Sequence, residues 1–312
     1  MTDLKFCFPE DVPSQIASLD GKVSQMGVGK TGKVGFLKLV LQHDSQRNKT
    51  IVTEQRTQVP LYIQKALHYD ETVPSMAHLF ILSPSGGVLQ GDRYRTDIEL
   101  KNNAISHITT QGATRIYKMT TNYATQMINL KVGKDCYLEF LPEQLIPYKN
   151  SRYYQKATFT VDDSATLVYS ETIVPGRVAM GELFDYDICY LKTVCYNEEQ
   201  ELKFHDNSVL EPKNQSMNNL GMFGNKTVLS TMFVVTKKEN TEELYKKINQ
   251  VFKDNNEVVG GASILPNDSG LSVRILSNSS EDNKTTVYNI CLLYTSDAAD
   301  DMQCVDLGGR RI

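Results

Sequence analysis

Residues 125–132 read Thr-Gln-Met-Ile-Asn-Leu-Lys-Val, and their alternation sets the fold class. Met127 and Asn129 share one side of an extended strand, while Ile128, Leu130 and Val132 share the other, because successive strand side chains point to opposite faces. Similar runs extend outward in both directions, from Val34 to about Leu210: VGFLKLVLQ, KTIVTEQRT, AHLFILS, YRTDIEL, SHITTQ, CYLEFLP, KATFTV, ATLVYSETIV and FDYDICYLKTVCY. Turn residues interrupt them about every 8–12 positions, the spacing of an all-β sandwich, barrel or stacked-sheet solenoid. No repeat of fixed length is visible, so periodicity alone does not support a regular solenoid.

The texture changes near Pro212. Residues 1–31 read as a lead, 32–211 as the β-rich body, 212–227 as a polar connector and 228–290 as a small α+β unit. In that unit VLSTMFVV reads as a buried strand. NTEELYKKINQVF reads as a helix, with Leu244, Ile248, Val251 and Phe252 on one apolar face and Asn240 and Glu243 in a capping pattern. GASILP and LSVRILS read as two strands joined by a turn at Asn267–Gly270, and one more helix would close the unit.

Residues 291–312 read differently. Back-translation of Cys291–Asp300 and of Val305–Ile312 resembles parts of a transposase adapter used in sequencing libraries, so this tail is excluded from the reading of the fold. On that reading the coding sequence stops near Ile290.

With 40% hydrophobic and 22% charged residues over 312 positions, the chain can bury a sizeable core. The net charge of −4 and the lack of a basic stripe argue against a nucleic-acid partner. An acidic, proline-bearing start without an apolar run is unlike a signal peptide, and no stretch has membrane-spanning length, so a cytoplasmic protein with no membrane partner is expected. The six cysteines form no CxxC pair and read as reduced core thiols. The five histidines (His43, His68, His78, His107 and His205) show no HxH or HxxxH spacing, so no metal cage is visible.

Four stretches could carry chemistry. Gly27–Val34, GVGKTGKV, approximates a phosphate-binding loop, but either Val34 occupies the hydroxyl position or Ser24 the first glycine, and a β-like run follows where a helix is required. Ser83–Arg93, SPSGGVLQGDR, joins two apolar runs and reads as a hairpin connection in which Asp92 can cap, turn or face a cavity. Thr109–Lys118 reads as a strand and bend with hydrogen-bonding capacity and no nucleophile-plus-base signature. Finally, Glu171, Glu182 and Asp206 are carboxylates in or near apolar runs. Each buried one needs a partner, Arg177 for one of them, or a cation. Paired carboxylates also admit a hydrolase on a β scaffold, weakened for a glycan substrate by the absence of tryptophan.

SPSGGVLQGDRYR, ITTQGATRIYK, YLEFLPEQLIPY, VPGRVAMGELF and SGLSVRILS together resemble the UreD (UreH) family of urease accessory proteins, in order and spacing from about Gly32 to Ile290. The opening Gly32-Lys33-Val34-Gly35 resembles that family's lead into its first strand, which accounts for the apparent phosphate loop. The resemblance implies a mostly β body of stacked antiparallel and parallel sheets, β-helix-like, with the small C-terminal α+β unit. It implies a non-catalytic scaffold and chaperone for nickel insertion. Its partners would be urease apoprotein, a UreF-like helical accessory protein and a UreG-like GTPase. No tightly bound cofactor is implied, only transient nickel. Asp92, Glu171, Glu182 and Asp206, with Thr114 nearby, match proposed lining positions of an internal wet passage. Isolated carboxylates would hold nickel briefly, where a His/Cys cage would retain it.

Overall fold

A computed structural model of the chain describes residues 4–23, 32–255 and 257–302. Strand Ala124–Val132 follows the alternation of its sequence: Ile128, Leu130 and Val132 are buried, while Met127 and Asn129 are half-buried. It lies in a seven-stranded sheet whose order is Leu202–Leu210, Ile188–Tyr196, Arg152–Val161, Ala124–Val132, Arg93–Lys101, Val34–Asp44 and Lys49–Gln58. The five inner strands pair in parallel, and the strand at each edge pairs antiparallel.

The second sheet has a parallel centre made of Ala77–Leu82, Ile105–Thr110, Tyr137–Phe140 and Thr166–Ile173. From Ala77 onward the chain steps from one sheet to the other and back, advancing by one strand at each return, so the body is a flattened coil. The coils are of unequal length. Ala77 lies beside Ser106, Ile105 beside Tyr137, and Tyr137 beside Thr166. The solenoid is therefore real in geometry although no fixed repeat marks it in sequence. The strands stay in register while the connections absorb the differences in length.

Ser83–Arg93 is accordingly not a hairpin connection, because its two flanking strands belong to different sheets. Leu202–Leu210 is a strand that the alternation of the sequence did not single out. Its exposed and half-buried residues reflect its place at a sheet edge.

The inward faces of both sheets form one core. Leu37, Leu39, Ile98, Ile128, Leu130 and Phe159 meet Leu79, Ile81, Ile108, Leu138, Phe140 and Leu167 between them. Each such side chain, fully buried, contributes about 1.5–3 kcal/mol by leaving water.

Val228–Val235 pairs antiparallel with Thr166–Ile173, and Gly270–Ser277 and Val259–Ile264 continue the same sheet outward. The helices Lys238–Asp254 and Ser280–Met302 cover its outer face, with Leu244 and Ile248 packed among Met232, Val273, Ile275, Val287 and Ile290. The first helix starts at Lys238 and makes no side-chain cap, so Asn240 lies inside its first turn and does not cap it.

Cys7, Cys136, Cys189, Cys195 and Cys291 are free and buried, and burial pushes the Cys195 thiol up to about 12. Among the described residues no helix is long and apolar enough to cross a membrane.

Gly27–Thr31 of the phosphate-loop likeness lies outside the described residues. Lys33 is described, and its side chain is only 2% exposed, with Nζ 2.6 Å from Asp92 Oδ2. Strand Val34–Asp44 follows at once. The lysine that would reach a phosphate is committed inside the protein, and the helix that a phosphate loop needs is a strand.

Candidate functional site

The coil does not pack solidly throughout. A cavity of about 350 Å³ lies between the sheets, with room for several waters. Tyr94, Gln126 and Gln155 line it from the seven-stranded sheet, and Phe140, Glu171 and Thr172 from the other. The loops around Ser83–Val88 and Thr110–Arg115 form its more exposed side.

Strand pairing explains the polar wall. Tyr94 is the register partner of Gln126, and Gln126 of Gln155, so three neighbouring parallel strands place polar groups side by side facing inward. Gln126 shares the parity of Ile128 and Leu130, and Gln155 that of Ala157 and Phe159. A polar residue on the apolar parity of a strand is the signal that the sequence offered and that motif reading passed over.

These groups are joined by hydrogen bonds. Tyr153 Oη donates to Gln126 Oε1 at 2.7 Å and to Gln155 Oε1 at 3.2 Å. Gln155 Nε2 donates to Glu171 Oε2 at 2.7 Å and to Tyr169 Oη at 3.1 Å, and Tyr169 Oη donates to Glu171 Oε2 at 2.9 Å. Among the described residues Glu171 has no basic partner in contact. Burial pushes its carboxyl up to about 7, against the opposing pull of the Tyr169 and Gln155 hydrogen bonds. The charges of Arg274 and Asp206 act on it in opposite senses.

The other three carboxylates have closer ties. Asp92 is fully buried and accepts from Lys33 Nζ at 2.6 Å, the Lys33 and Leu89 backbone N–H groups at 2.8 Å each, and Tyr94 Oη at 3.1 Å. It therefore adjoins the cavity through Tyr94 without lining it. Glu182 takes both arms of the Arg177 guanidinium, Nε at 2.9 Å, and the Lys149 N–H at 3.2 Å. Those Arg177 hydrogen bonds hold its carboxyl below the usual range. Asp206 accepts from Arg274 Nη2 at 2.7 Å, and the same guanidinium donates to Thr231.

Of the four, Glu171 alone lines the cavity, and Thr114 lies on its exposed side. Arg177 partners Glu182, and no contact joins it to Glu171. Glu143, a second carboxylate on the cavity, is bridged to Lys284 at 2.6 Å. Among the described residues no group of three or more His, Cys, Asp or Glu is arranged to hold a metal ion.

Gly87 shapes the cavity's exposed side. Its φ of +152° is rare for L residues, and a Cβ there would sit 2.5 Å from the Arg115 carbonyl oxygen and 2.6 Å from the Tyr117 ring. Gly87→Ala is expected to cost about 1–3 kcal/mol in a urea-unfolding experiment. An unchanged midpoint would mean that the loop yields without strain.

Comparison with known proteins gives a consistent picture. The chain is 42% identical over 256 residues to a urease accessory protein UreD of Cenarchaeum symbiosum (strain A), covering 82% of this chain and 89% of that one. It is 35% identical over 264 residues to urease accessory protein UreD 2 of Brucella suis biovar 1, covering 84% and 87%. It is 34% identical over 264 residues to a UreD of Yersinia pseudotuberculosis serotype O:1b, covering 84% and 82%. The UreD urease accessory protein family itself matches residues 33–306, which takes in both sheets and the cavity. From the relatives and this match together, the chain belongs to the UreD urease accessory protein family, and its role lies in urease maturation.

Proposed function

We propose that the protein is a non-catalytic scaffold that binds urease apoprotein and, with a UreF-like helical accessory protein and a UreG-like GTPase, passes nickel toward the urease centre. The observation that carries this reading is the polar cavity inside an otherwise apolar coil, with Glu171 as its one carboxylate free of a basic partner in contact. A lone carboxylate among tyrosine and glutamine groups gives a divalent ion a weak oxygen-rich stop. Three or four His or Cys ligands would bind nickel tightly and release it slowly. Asp92 bears on this stop through its contact with Tyr94, and Asp206 through its pair with Arg274, whose charges both act on Glu171.

The decisive experiment is co-expression of urease and the other accessory proteins with the wild-type chain, with Glu171→Leu, or with neither. Omission of the chain should abolish most urease activity. Glu171→Leu should leave the accessory complex assembled but lower the nickel content of purified urease several-fold. Equal activity with and without the chain would overturn the reading. Full nickel loading with Glu171→Leu would remove Glu171 from the route.

A further inference from the structure

The five histidines show no metal-binding spacing in sequence, yet strand pairing sets two of them side by side. His78 on Ala77–Leu82 is the register partner of His107 on Ile105–Thr110, and His107 is the partner of Glu139 on Tyr137–Phe140. All three point away from the core, since their neighbours Ala77, Leu79, Ile108, Leu138 and Phe140 fill the space between the sheets. The row lies on the outer face of the second sheet, apart from the cavity lining.

Three features of the row are unusual together. His107 Nδ1 lies 2.6 Å from Glu139 Oε2, and a carboxylate can only accept, so the imidazole donates there and, in its neutral form, presents Nε2 as the lone-pair nitrogen. Glu139 is itself fixed by Tyr137 Oη, which donates to Oε1 at 2.6 Å. His78 is only 6% exposed, and among the described residues neither of its ring nitrogens has a hydrogen-bond partner. Buried polar atoms are normally satisfied, so an imidazole with two orphaned nitrogens points to something that completes it.

The two rings lie 5.4 Å apart between centroids, inclined at 37°. Metal–nitrogen bonds of about 2.0–2.1 Å from each ring can meet at one ion across that separation. Tyr69 stacks on His78 at 4.2 Å and 29°, which holds that ring in place. A histidine ligand that donates its other nitrogen to a carboxylate is the usual arrangement around a bound metal.

We propose that His78 and His107 form a two-histidine site for a late first-row divalent cation such as nickel, zinc or copper(II), with Glu139 positioning His107 and water completing the coordination. Imidazole nitrogen suits these ions, whereas magnesium and calcium prefer oxygen. This site on the outer face of the second sheet stands independently of the carboxylate route inside the coil.

Zinc and nickel ions alone, titrated into the full chain by calorimetry, test the proposal. The wild type should bind one equivalent saturably at submillimolar cation. His107→Asn and His78→Phe should each weaken that binding at least about tenfold, and Glu139→Gln about 10–100-fold, as loss of an orienting carboxylate does. His205→Asn, on the exposed edge strand Leu202–Leu210 of the other sheet, should leave the isotherm unchanged. Cobalt(II) bound to the wild type gives a reading that needs no variant, because the His78 and His107 ring protons should be shifted in paramagnetic NMR spectra. An unaltered isotherm in His107→Asn, loss of binding in His205→Asn, no saturable binding at all, or cobalt that leaves both rings unshifted would each overturn it.

Discussion

Lys33→Met is expected to lower the unfolding free energy by about 3–5 kcal/mol, because it leaves Asp92 charged, buried and without its cation. Both side chains are essentially inaccessible, at 2% and 0%, so solvent offers the stranded carboxylate no relief. Removing the pair together should not rescue the protein. Asp92 also accepts the backbone N–H groups of Lys33 and Leu89, and each buried donor left unpaired costs about 1–3 kcal/mol. Lys33→Met/Asp92→Leu should therefore remain well below wild type in urea-unfolding midpoints, unlike ion pairs whose replacement by apolar residues is neutral. A double variant as stable as wild type would show that the pair, and not the backbone clamp, is all that Asp92 provides. The clamp joins the start of the first long strand to the chain just before strand Arg93–Lys101, so its loss should loosen the join between two neighbouring strands.

The second large effect is a dependence of stability on pH that Glu171→Gln should erase. Burial raises the Glu171 carboxyl to about 7 in the folded protein, so between its unfolded value and about pH 7 the folded state holds a proton that the unfolded state has released. Its contribution is fully present below the unfolded pKa and is lost as pH rises through about 7. At 1.36 kcal/mol per pKa unit the effect is of order 3 kcal/mol between pH 4.5 and pH 8. Glutamine keeps an acceptor for Tyr169 Oη and Gln155 Nε2 but never ionises. Glu171→Gln should thus gain stability relative to wild type on going from pH 5 to pH 8, read from unfolding midpoints at both. A constant difference across that range would place the Glu171 proton equilibrium outside it.

The strands were legible because each inward face repeats every second residue, as in Ile128, Leu130 and Val132. The coil was not, since a solenoid with unequal turns leaves no period to find. Leu202–Leu210 escaped notice because an edge strand with Lys203, His205 and Asp206 lacks a clean apolar side. Glu171 stood out as a carboxylate in apolar company and Asp92 as one that could cap, turn or face a cavity, but their partners did not, because those pairings depend on which strands lie adjacent. Arg177 lies close to both Glu171 and Glu182 in sequence, and only the turn at Gly176–Gly181 decides that it meets Glu182. The same limit hid the histidine pair, whose members come together only through parallel register.

One of the two antiparallel edge strands of the seven-stranded sheet has a further consequence. A stack of parallel strands is a template with no intrinsic end, and a bare flank would recruit further chains into fibres. Lys49–Gln58 occupies that flank with Lys49, Glu54 and Arg56, and Glu54 is already engaged by Lys38 at 3.0 Å. An incoming strand would have to strip water from these charges without matching them. The terminal strand thus works as a stop against polymerisation, keeping a fold that could grow indefinitely to a finite size.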